Sequence, residues 1–197
     1  MNELYKMAID VQCVIFDFGT RWGPNAAQFC ALRSIYEPFN RHKKIVAFDT
    51  FEGFPSVDSE DGNSDLVVPG QLELPKDYEL YLEKLLTLHE SLNPLSHIKK
   101  FEILKGDATK TLPDYLNRNP QTIIALAYFD FDIYKPTKVC LDMIADRLTK
   151  GSVLGFDELN DPDSPGETTA LMQAFGLRNI KLRRYRYASR VSYFVVD

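Results

Sequence analysis

Cysteine and histidine are both scarce in this chain. Three of each, with no CxxC pair and no Cys/His cluster at ligand spacing, exclude a disulfide-stapled scaffold and a zinc centre of the familiar kinds. Cys13, Cys30 and Cys140 are odd in number and sit among apolar neighbours such as Val14, Phe29 and Val139, which reads as reduced core thiols. His42, His89 and His97 read as surface residues without a role. No apolar run is long enough to span a bilayer, and the N-terminus lacks the basic-then-apolar order of a signal peptide. A cytoplasmic protein without a membrane partner is the expectation. Positive charge is in deficit too: 28 Asp and Glu face 23 Lys and Arg, a net charge of -5, which argues against nucleic acid as a partner. The one basic cluster, Lys181, Arg183, Arg184 and Arg186, alternates like the outer face of a strand and reads as a solvated edge.

What is present is a core and an alternation. With 45% hydrophobic residues in 197, the chain suffices for one domain over 1–197. Val11 to Phe16 is a nearly continuous apolar run ending at Asp17, and it is followed by Gly19, Gly23 and a helical spacing of Ala26, Phe29 and Cys30. Ile45 to Phe48 repeats the strand signature before Asp49, and Tyr78, Tyr81, Leu82 and Leu85 mark a helix ending before Pro94. Between them, 51–75 is rich in Gly, Pro, Ser and acids, and we read 56–75 as a mobile lid loop. Phe101 to Leu104 and Ile123 to Phe129 read as central strands, the first entering Gly106-Asp107 and the second ending at Asp130. A helix through Leu141, Ile144 and Leu148 precedes a strand from Val153 to Phe156, which ends at Asp157. A helix over 168–175 follows, and then two segments, 180–187 and 191–196, close enough in sequence to pair only as antiparallel neighbours. Together these predict an α/β Rossmann-like sandwich: a mostly parallel central sheet with an antiparallel C-terminal strand and helices on both faces.

Ligands on such sheets bind at the carboxyl ends of the strands. Asp17, Asp49, Asp107, Asp130, Asp132, Asp157 and Glu158 all fall near predicted ends, so they are expected on one rim. Gly19 and Gly23 stand where the backbone must turn tightly and a ligand must approach it, although the full GxGxxG spacing is absent. Asp49, about 20 to 30 residues beyond the turn, fits a carboxylate that accepts hydrogen bonds from ribose hydroxyls, so the pair favours a nucleoside ligand. If Asp130 and Asp132 lie on one strand, their side chains point to the same side, where two carboxylates need a cation, a shared proton or solvent.

These residues, read in order, resemble the class I S-adenosylmethionine-dependent methyltransferases, and more closely the metal-dependent sugar O-methyltransferases of the macrocin and novobiocin type. The motifs are Phe16-Asp17-Phe18-Gly19 with Gly23, Ala47-Phe48-Asp49-Thr50-Phe51-Glu52-Gly53-Phe54-Pro55, Gly106-Asp107, Asp130-Phe131-Asp132-Ile133-Tyr134 and Gly155-Phe156-Asp157-Glu158. The second, fourth and fifth are the more specific, and the resemblance spans essentially the whole chain. It implies a cofactor seat for S-adenosylmethionine made by Asp17, Gly19, Gly23, Asp49 and Asp107, with Asp49 on the ribose and Asp107 facing the adenine amino group. It further implies a magnesium or other divalent ion on Asp130, Asp157 and Glu158, and Asp132 as the general base. Glu158 departs from the Asp that relatives carry there. The resemblance also implies N-terminal helices that this chain lacks, so either the chain is trimmed or another subunit completes the acceptor site in a homo-oligomer.

The chemistry the resemblance implies is methyl transfer to a hydroxyl of a small-molecule acceptor, a sugar or glycosylated metabolite, with catechol-like acceptors, which need the same metal chemistry, as an alternative. A hydroxyl is a poor nucleophile until its proton is removed, and an aspartate of ordinary pKa, about 3.9, is too weak to remove it unaided. A bound divalent ion lowers the hydroxyl pKa and makes Asp132 adequate. Two rivals stand. Val14-Ile15-Phe16-Asp17-Phe18-Gly19-Thr20 resembles the nucleophile strand of haloacid dehalogenase-type phosphatases, but Gly19 occupies the position of the second Asp. The other rival is a relative that binds nucleoside without catalysis.

Overall fold

Short apolar runs rich in Ile, Val and Phe become strands, and the segments between them with 3.6-residue apolar spacing become helices. The computed structural model describes residues 1–65 and 67–197. Its strands are β1 (Val14–Phe18), β2 (Ile45–Asp49), β3 (Phe101–Lys105), β4 (Ile124–Phe129), β5 (Leu148–Phe156), β6 (Arg183–Arg184) and β7 (Ser192–Val195). Its helices are α1 (Asn2–Met7), α2 (Pro24–Tyr36), α3 (Tyr78–Ser91), α4 (Ala108–Arg118), α5 (Tyr134–Ile144) and α6 (Gly166–Phe175).

All seven strands share one sheet in the order β3-β2-β1-β4-β5-β7-β6. The first five are parallel, and β7 runs antiparallel to both β5 and β6. Helices α1, α2 and α3 bury one face of the sheet through Leu4, Phe29, Cys30 and Leu82; α4, α5 and α6 bury the other through Leu112, Cys140, Leu141 and Leu171. Cys30 and Cys140 are thus core thiols, while Cys13 is half-buried. No helix among the described residues is long and apolar enough to cross a membrane.

Several expectations need correction. The segment 101–104 does not lie centrally: β3 is the outermost parallel strand, and only Phe101 in it is buried. β1 runs on to Phe18, so Asp17 lies within the strand, paired in register with Ala47 and Tyr128. Helix α4 has no clear sequence signal; Pro113 obscures its pattern, yet Leu112, Tyr115 and Leu116 give it a buried face. Helix α5 begins at Tyr134, two turns before Leu141, and ends at Ile144, so Leu148, expected within the helix, instead opens β5.

The register sets a row that matters for the site. Phe18 is level with Phe48 on one side and Phe129 on the other, and Phe129 is level with Phe156. The four rings are fully buried on one face and lie 4.7 to 5.2 Å apart, centroid to centroid, in succession. The residues that follow Phe48, Phe18, Phe129 and Phe156 are Asp49, Gly19, Asp130 and Asp157 respectively. A Phe platform therefore carries the rim, and pairing continues one residue past it: the N–H of Asp130 donates to Phe18 O at 2.9 Å and that of Asp157 to Phe129 O at 3.0 Å.

Candidate active site

A cavity of about 350 Å³ opens over that platform. Gly19, Asp49, Asp107, Asp130, Asp132, Asp157 and Glu158 all line it, so the acids expected at strand ends do share one site. Two expected members do not. Asp17 is fully buried beneath the turn, where its carboxylate accepts from the Thr20 hydroxyl at 2.6 Å, and burial pushes its pKa up to about 7. Gly23 ends the turn as the residue before α2, and a Cβ there would meet the Leu82 side chain at 2.2 Å; its smallness serves helix packing.

Gly19 is confined by the fold itself. Its φ is +79°, and a Cβ would stand 2.0 Å from the carbonyl oxygen of Asp130. Only glycine lets β1 turn away while staying against the loop that carries the acids. Asp49 is held by two backbone donors, Arg21 N–H at 2.8 Å and Phe51 N–H at 2.6 Å, and both donors lie at positive φ. Burial nonetheless raises its pKa, and those two bonds pull the other way. Asp107 caps α4: one oxygen accepts from Thr109 N–H at 2.9 Å and from its hydroxyl at 2.7 Å. Phe54, Pro55 and Leu72, from the β2–α3 connection, supply apolar wall. That connection is pinned at its described ends, with Gly70 N–H donating to Phe54 O at 2.9 Å and Leu74 N–H to Phe51 O at 3.2 Å.

Asp130 and Asp132 face the cavity for a different reason from the one expected. They lie beyond the end of β4 in a turn, not on the strand, and Asp132 has φ +62°. Burial, then repulsion from Asp157 and Asp132, pushes the Asp130 carboxyl up to about 8. Burial and Asp157 bring Asp132 to about 6, against the pull of Arg190 and Arg21. Burial and Asp132 raise Glu158 to about 7. Asp157 accepts from the Tyr128 hydroxyl at 2.6 Å, and Glu158 accepts from the Arg190 guanidinium, also at 2.6 Å. Among the described residues no group of three His, Cys, Asp or Glu side chains is arranged to hold a metal ion.

Arg190 is a site residue that the sequence does not announce. It sits in the connection between β6 and β7, and only the folding of that connection over the end of β5 brings it to Glu158 and Asp161. Glu167 lies just before the predicted helix; α6 in fact begins at Gly166, and the Glu167 side chain is wholly buried and turned toward the acid loops. The phosphatase reading finds no support, since Asp17, its nucleophile, is sealed off from the cavity.

No protein-family model and no curated protein matches the chain. Solved structures do. The crystal structure of CalS11, calicheamicin methyltransferase, is 42% identical with a TM-score of 0.96, covering 98% of this chain and 76% of that one. The apo structure of CalS11, described as a TDP-rhamnose 3'-O-methyltransferase of calicheamicin biosynthesis, is 38% identical with a TM-score of 0.85 and the same coverage, 98% and 76%. The O-methyltransferase NovP, at 15% identity and a TM-score of 0.71 over 99% of this chain and 79% of its own, shares the fold. Identity of 42% across nearly all of this chain, on a methyltransferase sheet whose acids line one cavity, makes the protein an enzyme that belongs with CalS11 in the S-adenosylmethionine-dependent sugar O-methyltransferase family.

Proposed function

We propose that the enzyme transfers a methyl group from S-adenosylmethionine to a hydroxyl of a deoxysugar carried on a nucleoside diphosphate, with Asp132 as the base. The observation that carries the reading is the gathering of six acids in one cavity: Asp49 and Asp107 at the ends of β2 and β3, and Asp130, Asp132, Asp157 and Glu158 beyond the ends of β4 and β5. When bound, the cofactor supplies an electrophilic methyl on a sulfonium. In this reading Asp49 accepts from the ribose hydroxyls through lone pairs its backbone donors leave free. Phe54, Pro55 and Leu72 give the base an apolar slot, and Asp107 offers an acceptor to its amino group. Gly19 keeps the floor low enough for the methionine portion.

Asp132 takes the hydroxyl proton as the oxygen attacks. A carboxyl held near 6 by burial and like charge is a better base than a free aspartate and is still ionised at neutral pH. In kind, the oxygen donors Asp130, Asp157 and Glu158 suit a hard divalent cation such as magnesium, which would lower the acceptor pKa. Arg190 engages Oε2 of Glu158, one of the three carboxylates that would hold it. The diphosphate part of the reading rests on the hairpin. Arg184 is level with Ser192, which is itself level with Phe156, so Arg184, with Arg186 two residues on, lies toward the rim end of the sheet's edge, outside the residues that line the cavity. Both are exposed, and neither makes an ion pair among the described residues.

Calorimetric titration with S-adenosylhomocysteine, with and without magnesium, tests the seat. We expect binding by the wild type, a loss of about 10-fold or more in Asp49→Ala, and loss of magnesium binding in Asp130→Ala with the nucleoside still bound. A folded wild type that binds no S-adenosylhomocysteine would overturn the reading.

A further inference from the structure

Two carboxylates outside the cavity hold the turn that carries Asp132. Glu167, fully buried in the first turn of α6, accepts from Phe131 N–H at 3.0 Å through one oxygen and from Glu158 N–H at 3.3 Å through the other. Asp61, 1% exposed in the short 3-10 turn Ser59–Asp61 of the β2–α3 connection, accepts from Tyr134 N–H at 2.5 Å and from Asp58 N–H at 2.7 Å. The N–H before Asp132 and the N–H two residues after it are thus each tied to a segment distant in sequence. The two ties meet at Gly166, where a Cβ would stand 2.3 Å from the Asp61 carboxylate and 2.5 Å from Tyr134 N.

The turn needs such restraint. Asp132 at φ +62° sits in a region that costs a non-glycine residue about 1 kcal/mol or more, and such a conformation persists only where the surroundings over-determine it. Burying two carboxylates is itself costly unless their hydrogen bonds are satisfied. Capping α6 or the short turn would not require either distant contact, because an acid in a first helical turn gains its dipole benefit in solvent.

We propose that Glu167 and Asp61 are positioning residues for methyl transfer: together they lock the Asp130–Tyr134 turn in the shape that presents Asp132 to the acceptor, and Asp61 makes that shape depend on the seating of the β2–α3 connection. The inference rests on the methyl-transfer reading for its kinetic consequence but not for its structural one. Neither residue lines the cavity.

The test uses Glu167→Gln, Asp61→Ala and Asp61→Asn in the full chain. With S-adenosylmethionine and TDP-rhamnose as the probes, kcat should fall about 10- to 100-fold in Glu167→Gln and Asp61→Ala, because an ångström of misplacement costs that much. Both KM values and the affinity for S-adenosylhomocysteine should stay within about threefold of wild type. Asp61→Asn keeps an oxygen for Tyr134 N–H and should recover most of the rate. Hydrogen exchange read by mass spectrometry over 129–137 should quicken in Glu167→Gln and Asp61→Ala without any ligand. Unchanged kcat in both variants, or a kcat loss matched by equal losses in nucleoside affinity and melting temperature, would overturn the proposal. Unaltered exchange over 129–137 would overturn it even if the wild type transferred no methyl group, an outcome that would count separately against the function.

Discussion

At the scale of single residues, the site is a set of acids that folding leaves short of compensating charge. Asp130, Asp132 and Glu158 all bind protons more tightly than free carboxyls, each because burial disfavours its charge and its neighbours repel it. Gly19 is the residue on which their placement turns, since β1 and the acid loop pass within a Cβ's width of each other there. Gly19→Ala should destabilise the protein by more than about 2 kcal/mol, combining a left-handed backbone with a clash that backbone must relieve. Urea melts check the stability, and wild-type-like values would mean that the turn is looser than its contacts imply. Much at this scale is legible in the sequence. Asp49, Asp130 and Asp157 each follow a buried Phe at a strand end, and such Phe-Asp pairs can be read directly. Asp17 follows Phe16 in the same way and misleads: only the register shows that Phe18, not Phe16, is level with the other three.

At the scale of elements, the strands are legible and the long-range contacts are not. An apolar run marks its own strand, but nothing local marks Arg190 for Glu158, or Asp61 for Tyr134, which are 32 and 73 residues apart. Helix α4 shows how a cap and a cavity-lining position can share one residue. Asp107 lines the cavity and also caps α4 through Thr109. Asp107→Ala should therefore cost about 1 kcal/mol of stability in addition to weakening nucleoside binding. Asp107→Asn keeps the cap and offers the nucleoside a side chain with one acceptor fewer. Stability near wild type with weakened S-adenosylhomocysteine binding in Asp107→Asn would separate the two roles. Equal binding in Asp107→Asn and wild type would remove Asp107 from the seat.

At the scale of the whole molecule, the acid rim gives ligand-free stability a pH dependence. A carboxyl whose folded pKa lies above its unfolded value holds its proton more tightly when folded. Its stabilising share is complete below the unfolded value, about 4, and is lost as pH rises through the folded one. For Asp132, Asp17, Glu158 and Asp130 those folded values run from about 6 to about 8. The melting temperature of ligand-free protein should therefore fall between about pH 5 and pH 8. Scanning calorimetry across that range decides it; a melting temperature that rises toward pH 8 would mean that the acids are already neutralised within the fold. The broad architecture is legible because strand and helix signals alternate cleanly, whereas the edge position of β3 is not, since strand order is a property of pairing and not of any one segment.

Methyl transfer itself is the most direct measurement: mass spectrometry of TDP-rhamnose incubated with S-adenosylmethionine and either wild type or Asp132→Asn. Wild type should yield a singly methylated sugar nucleotide, and Asp132→Asn, still binding S-adenosylhomocysteine, should be slower by about 100-fold or more. Equal rates in the two proteins would contradict Asp132 as the base, and with it the catalytic role of the acid rim.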